Sequence, residues 1–173
     1  MKHLIFVAGL ILAAAFSRLI PHPPNFTPIA ALALSSAVYL DKRYALLLPL
    51  AAMLLSDWVI GFHSGMPWVY GSFAVISLMG YWLRSHKKPA FILGATLTSS
   101  VLFFAVTNFG VWLGSTFYPQ TWDGLVACYV AALPFFQNTL AGDFMYTGAM
   151  FGLFELAARW FKVEQAQTAS AGS

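Results

Sequence analysis

The sequence predicts an all-α integral membrane protein, a compact bundle of about six transmembrane helices with an outer-face interfacial or re-entrant helix. Three observations carry this expectation. Of the 173 residues, 60% are hydrophobic, 17% aromatic and only 9% charged, against roughly 45–50% apolar and 25% charged in an ordinary soluble domain. The apolar residues form long runs separated by short polar breaks. The few charges sort by loop instead of marking one solvated face of each helix. At ~20 apolar residues per crossing the chain has room for about six crossings with their loops, and none for a second soluble domain. A single domain is expected over residues 1–164, with a small, polar, disordered tail at 165–173.

The first run, Leu4 to Ser17, follows Lys2 and contains the triplet Ala13, Ala14, Ala15. That outline also fits a cleavable signal peptide, which would leave five crossings. Retention is preferred, because a signal peptide serves translocated domains and none follows. Pro21, Pro23, Pro24 and Pro28 then impose a rigid, non-helical corner that fixes the position of Asn25. The second run, Phe26 to Leu40, carries Ala33 and Ala37 one helical turn apart, as Gly9 and Ala13 are in the first. Small residues at that spacing allow close helix approach, either inside the protein or against a partner.

The third run, Tyr44 to Gly61, ends at a second corner marked by Gly61, Gly65 and Pro67. The fourth, Trp68 to Leu83, stops at the basic cluster Arg84, Lys87 and Lys88, and the fifth extends from Pro89 to Gly114. The last stretch, Leu125 to Phe161, is too long for one crossing, yet two would place Arg159 and Lys162 outside. Trp122 to Phe136, interrupted by Pro134, is therefore expected as the interfacial or re-entrant helix, and about Asn138 to Trp160 as the final crossing.

Short loops rich in Lys and Arg stay in the cytoplasm. With both termini inside, eight of the nine basic residues lie inside and Arg18 alone lies outside. This sidedness explains a sequence pI near 9.1 without invoking nucleic acid. The expected location is a membrane crossed several times, with both termini on its cytoplasmic side. Cys128 is the only cysteine, so neither an internal disulfide nor a Cys-based zinc cluster can form within one chain. There is no G-x-x-x-x-G-K-[ST], hence no ATP-binding loop of that type. A polar stripe through the inner half, which a channel would need, is missing as well.

A charged residue inside a span costs ~2.5–3.5 kcal/mol on insertion scales, so each one needs a partner or a function. By depth, Arg18, Asp57 and Asn108 fall near the outer ends of spans one, three and five, and Asn138 and Asp143 near the outer start of the last. Loops at that level add His22, Asn25, His63, Trp68, Tyr70 and Trp112. In the inner half Glu155 stands out, with Arg159 four residues on at ion-pair spacing. The pattern implies an outward pocket in which Arg18, Asn25, Asp57, His63, Asn108, Asn138 and Asp143 hold polar groups and Trp68, Tyr70 and Trp112 an apolar body. The competing reading is that Arg18, Asp57 and Asp143 neutralise one another and pin helices together. Two acids against one guanidinium leave one acid over, which either awaits a cationic group or is protonated. His22 and His63 could ligate a metal, though loop histidines near a membrane surface more often only hydrogen-bond.

The blocks Ser17-Arg18-Leu19-Ile20-Pro21-His22-Pro23-Pro24-Asn25-Phe26-Thr27-Pro28, Leu55-Ser56-Asp57, Thr107-Asn108-Phe109-Gly110 and Asn138-Thr139-Leu140-Ala141-Gly142-Asp143 resemble a family of small bacterial inner-membrane proteins of unknown function. In size, topology and outer-level polar groups the chain also resembles the substrate-binding S components of energy-coupling-factor vitamin transporters. That resemblance implies uptake of a vitamin-like molecule, and a transmembrane coupling protein with ATPases as partner. It makes cobalamin a possible transported ligand, with His63, His22 or Cys128 as the residue facing cobalt. No cofactor or metal of the protein's own is expected. The alternatives are a structural or assembly protein with a helix-pinning polar network, and an intramembrane hydrolase using Asp57 and Asp143, for which no sequence motif speaks.

Overall fold

The computed structural model describes the backbone of residues 2–114 and 116–171, and side-chain surroundings for 5–41, 44–114 and 116–160. Its helices are α1 (Lys2–Ser17), α2 (Ile29–Tyr39), α3 (Lys42–Ile60), α4 (Met66–Leu83), α5 (Pro89–Gly114) and α6 (Trp122–Ala171), and no strand occurs among the described residues. The polar tail expected at 165–173 lies outside the residues whose side chains are described.

The shortest helix is the centre of the bundle. All of α2 from Ile29 to Val38 is buried, against α3, α4, α5 and α6. Alanines and serines make this possible, because they let neighbouring backbones close in. A Cβ on Gly80 of α4 would fall 2.6 Å from the Leu34 carbonyl oxygen and 2.9 Å from the Ala37 Cβ. Ala33 and Ala37 therefore serve internal packing and present no partner face. Eleven residues of helix span about 16 Å, half of a ~30 Å hydrocarbon core. The proline corner replaces the turns that a longer α2 would have.

Hydroxyls share the interior with apolar side chains, and large apolar side chains cover much of the surface. Ser35, Ser36, Ser56, Ser72, Ser77, Thr96, Ser99, Ser100, Thr139 and Thr147 are buried, while Leu12, Phe16, Leu47, Trp58, Leu78, Leu93 and Leu156 are exposed. Most of these hydroxyls donate to the carbonyl one turn back, as Ser77 does to Phe73 (2.9 Å) and Ser99 to Ala95 (2.7 Å). Two helices, α5 and the Trp122–Trp160 part of α6, are long and apolar enough to cross a membrane. Apolar stretches Ile5–Ser17, Ile29–Tyr39 and Tyr44–Ile60 are shorter.

The separate interfacial helix expected before Pro134 is not formed. The chain stays helical through Pro134 and on to Ala171, because one proline removes a single backbone hydrogen bond and bends a helix where four in eight residues end it. The leg before Pro134 nevertheless takes its own direction. Between the Tyr129–Ala105 hydrogen bond and the Phe136–Phe104 ring contact, α6 advances seven residues while α5 advances one. Between Asp143–Ser100 and Thr147–Thr96 each helix advances four. The first leg thus crosses α5, and the second runs antiparallel alongside it.

The two ends of the bundle differ chemically. At one end the Tyr39 hydroxyl donates to Glu155 (2.7 Å) and Lys87 sits 4.6 Å from the Tyr39 ring centroid. Glu155 thus bonds α2 instead of the Arg159 expected from helical spacing. The α1–α2 and α3–α4 corners occupy the opposite end.

Candidate functional site

At that opposite end lies a cavity of about 290 Å³. Arg18, His22, Asn25 and Thr27 reach it from the proline corner, His63 from the second corner, and Thr139 and Asp143 from α6. Phe73 of α4 and Phe103 of α5 form apolar walls, 5.1 Å apart at their ring centroids. Asn25 has a positive φ of 64°, an uncommon backbone state that Asn tolerates better than most residues. The prolines on both sides hold the turn in place. Gly142 meets Phe26 so closely that an added Cβ would stand 3.2 Å from its Cα, which brings the corner down onto the Asp143 region of α6.

Arg18 binds chiefly to protein. Its Nη1 donates to the Met53 carbonyl (3.3 Å) and to the Ser56 hydroxyl, and lies 2.7 Å from Asp57 Oδ1. The Oδ1 contact is off hydrogen-bond alignment, so charge holds it. Asp57 Oδ2 accepts from the Tyr70 hydroxyl at 2.8 Å. Asp57 is fully buried behind Arg18 and does not line the cavity. Of the three charges that the competing reading has neutralising one another, Arg18 and Asp57 pair.

Asp143 is held differently. It is 3% exposed, its Oδ2 accepts from Ser100 at 2.6 Å, and it lines the cavity. The Arg18–Asp57 contact is the ion pair found among the described residues, and no Lys or Arg nitrogen among them comes within 4.0 Å of the Asp143 carboxyl. The two aspartates make no hydrogen bond to each other, and each has its own hydroxyl partner. His22 Nε2 is buried with no hydrogen-bond partner.

The other expected residues sit elsewhere. Tyr70 bonds Asp57. Trp68 packs edge-on against Phe109 at 5.7 Å and fills the space where Gly110 has no side chain, since a Cβ there would stand 2.3 Å from its ring. With His63 it lines a second cavity, of about 310 Å³. Asn108 donates to the Phe104 carbonyl (2.8 Å), and Trp112 donates to the Pro119 carbonyl (3.0 Å) while Gln120 caps the Trp112 carbonyl. Asn138 is half-buried outside the cavity wall. Cys128 is buried against the Asn108 carbonyl, away from the cavity. Sequence reasoning did not single out Ser100, Phe73, Phe103 or Thr139 as site residues. The adjacent hydroxyls Ser99 and Ser100 in an otherwise apolar run were the available signal for the first.

The blocks around Arg18, Asp57 and Asp143, which resembled a known family, are thus the ones that build this end of the bundle. The chain belongs to a family of unknown function. The profile of that family, DUF6580, matches residues 1–167. No curated protein and no solved structure matches the chain. Among the described residues no group of three His, Cys, Asp or Glu side chains converges as a metal site would require.

Proposed function

We propose that this DUF6580 protein is a multi-pass protein of a bacterial inner membrane, with six spanning helices and both termini cytoplasmic, that binds a small molecule at its outer face for uptake. The observation that carries the reading is the cavity of about 290 Å³ at the end of the bundle away from Lys87, where polar groups from both corners and from α6 converge beside the packed pair Phe73 and Phe103. Such a mixture of apolar walls and a few fixed polar groups is the usual make-up of a ligand site. The sequence charge bias supports the sidedness, since it assigns the Lys87 end to the cytoplasm. The apolar surface of the bundle supports immersion in lipid, where surface leucine and phenylalanine cost nothing and internal hydroxyls bond locally.

Size narrows the cargo. At ~30 Å³ per water the space holds on the order of ten waters, enough for one substituted ring. A vitamin-like heterocycle fits, whereas a corrinoid such as cobalamin would require the bundle to open. In the S-component manner, a transmembrane coupling protein with ATPases would drive release. Its docking face is not Ala33 and Ala37, which are buried. Gly9 and Ala13 of α1 remain on the outer surface.

One observation favours a structural role for part of the polar set. Arg18, Ser56, Asp57 and Tyr70 satisfy one another across α1, α3 and α4 and act as a staple. The two roles coexist, with the staple as the back wall of the site. Native mass spectrometry of protein extracted gently from its membrane tests the proposal. A stoichiometric small molecule, lost when Asn25→Ala and His63→Ala are combined, is the expected result. An empty cavity, together with no binding by any of the three small probes named below, would overturn it.

A further inference from the structure

We infer that the ligand of this cavity carries a protonated nitrogen, and that Asp143 is the group that receives it. The inference rests on the binding role proposed above and names the chemical class of the cargo. Two charged side chains line the cavity, Arg18 and Asp143. Their situations are unequal. Arg18 is already matched by Asp57 at 2.7 Å, and Asp57 is fully buried. An anionic ligand drawing Arg18 away would strand a carboxylate in the core, which is strongly unfavourable.

Asp143 has no such counterpart. Among the described residues its contact is the neutral hydroxyl of Ser100, and the side chain is 97% buried by the complement of its 3% exposure. A carboxylate withdrawn from water with one neutral donor retains unused acceptor capacity, and an ammonium or protonated ring nitrogen supplies both charge and hydrogens. Phe73 and Phe103 border the same space, and ring faces attract a cation further. His22 Nε2, buried and unpartnered on the wall, offers a second polar contact to the rest of the ligand. With the histidines counted neutral, Arg18, Asp57 and Asp143 sum to one negative charge, which a monocation cancels. The contrary features are the unused guanidinium donors of Arg18 and the first turn of α2, which would favour an anion. The experiment is built to expose them.

Three probes of nearly equal shape separate the possibilities: benzylammonium, benzyl alcohol and benzoate. Binding to the full chain in lipid nanodiscs is measured by calorimetry at neutral pH and moderate salt. Benzylammonium is expected to bind roughly tenfold or more tighter than benzyl alcohol, in keeping with a charge-assisted hydrogen bond. In Asp143→Asn that ratio is expected to fall to about one. Ranking by the wild-type protein alone decides the matter if the variant does not fold. Equal binding of all three probes, tighter binding of benzoate, or a preference unchanged in Asp143→Asn would overturn the cation assignment while leaving the binding role intact. Failure of all three to bind overturns the cation assignment, and together with an empty cavity in the native mass spectrum it overturns the binding role as well.

Discussion

Arg18 Nη1 lies 2.7 Å from Asp57 Oδ1, joining the end of α1 to the last turn of α3. Asp57 is fully buried and the Arg18 side chain is 16% exposed, so little water screens the pair. Breaking such a pair from one side leaves an uncompensated charge. Arg18→Leu is expected to destabilise the fold by about 3–5 kcal/mol. The double variant Arg18→Leu/Asp57→Leu should recover most of that loss. Reversible unfolding in detergent, run as a double-mutant cycle, checks it. Additive losses would show that the two side chains are not coupled.

Tyr70 supplies the other partner of Asp57, at 2.8 Å to Oδ2. Tyr70→Phe keeps the ring and removes the hydroxyl, which should cost about 1.5–3 kcal/mol as a hydrogen bond to a charged group. Tyr39→Phe removes a bond of similar length to Glu155, which is exposed. Solvent replaces that partner, and the loss should stay below about 1 kcal/mol. Equal losses in the two variants would contradict this ranking of the two ends.

Gly80 marks the closest approach of α2 and α4, with no room for a methyl beside the Leu34 carbonyl. Gly80→Ala is expected to cost about 1–3 kcal/mol through overpacking, more than the ~1 kcal/mol that alanine gains in a helix. Gly94 of α5 has nothing within 4 Å of its Cβ position. Gly94→Ala should therefore be neutral or slightly stabilising, and thermal unfolding of the two variants in parallel makes the comparison.

Topology can be read by labelling. Cys128 is buried, so Cys128→Ala provides a background without reactive thiols. In that background Ser64→Cys, in the exposed corner beside the cavity, should react with a membrane-impermeant maleimide on intact spheroplasts. Ser85→Cys, in the exposed turn before Lys87, should react only after lysis. Labelling of Ser85→Cys from outside would reverse the proposed orientation.

Much of the architecture was legible in the chain. The apolar runs anticipated the first five helices to within a few residues, and Pro21 to Pro28 marked a true break because prolines exclude helix both at their own positions and before them. That Arg18 would need a carboxylate followed from charge in an apolar setting, and the choice between Asp57 and Asp143 did not. Pro134 misled, since an isolated proline bends a helix without ending it. Glu155 also misled: helical spacing pointed to Arg159, and tertiary packing offered Tyr39 instead. For Asn108, Trp112 and Asn138, depth along a helix was informative while rotation about its axis was not.

By itself, the sequence determined the helical class, the basic loops at one end of the bundle and, toward the other, two aspartates, Asp57 and Asp143, to one arginine, Arg18. Those properties depend on composition and order along the chain. Tertiary structure alone decided that the shortest helix is the core, that Asp57 belongs to Arg18 and Tyr70, and that Asp143 faces the cavity with Ser100 behind it. The physical reason is rotational. A helix fixes how high each side chain stands, but only packing against its neighbours sets which way that side chain turns.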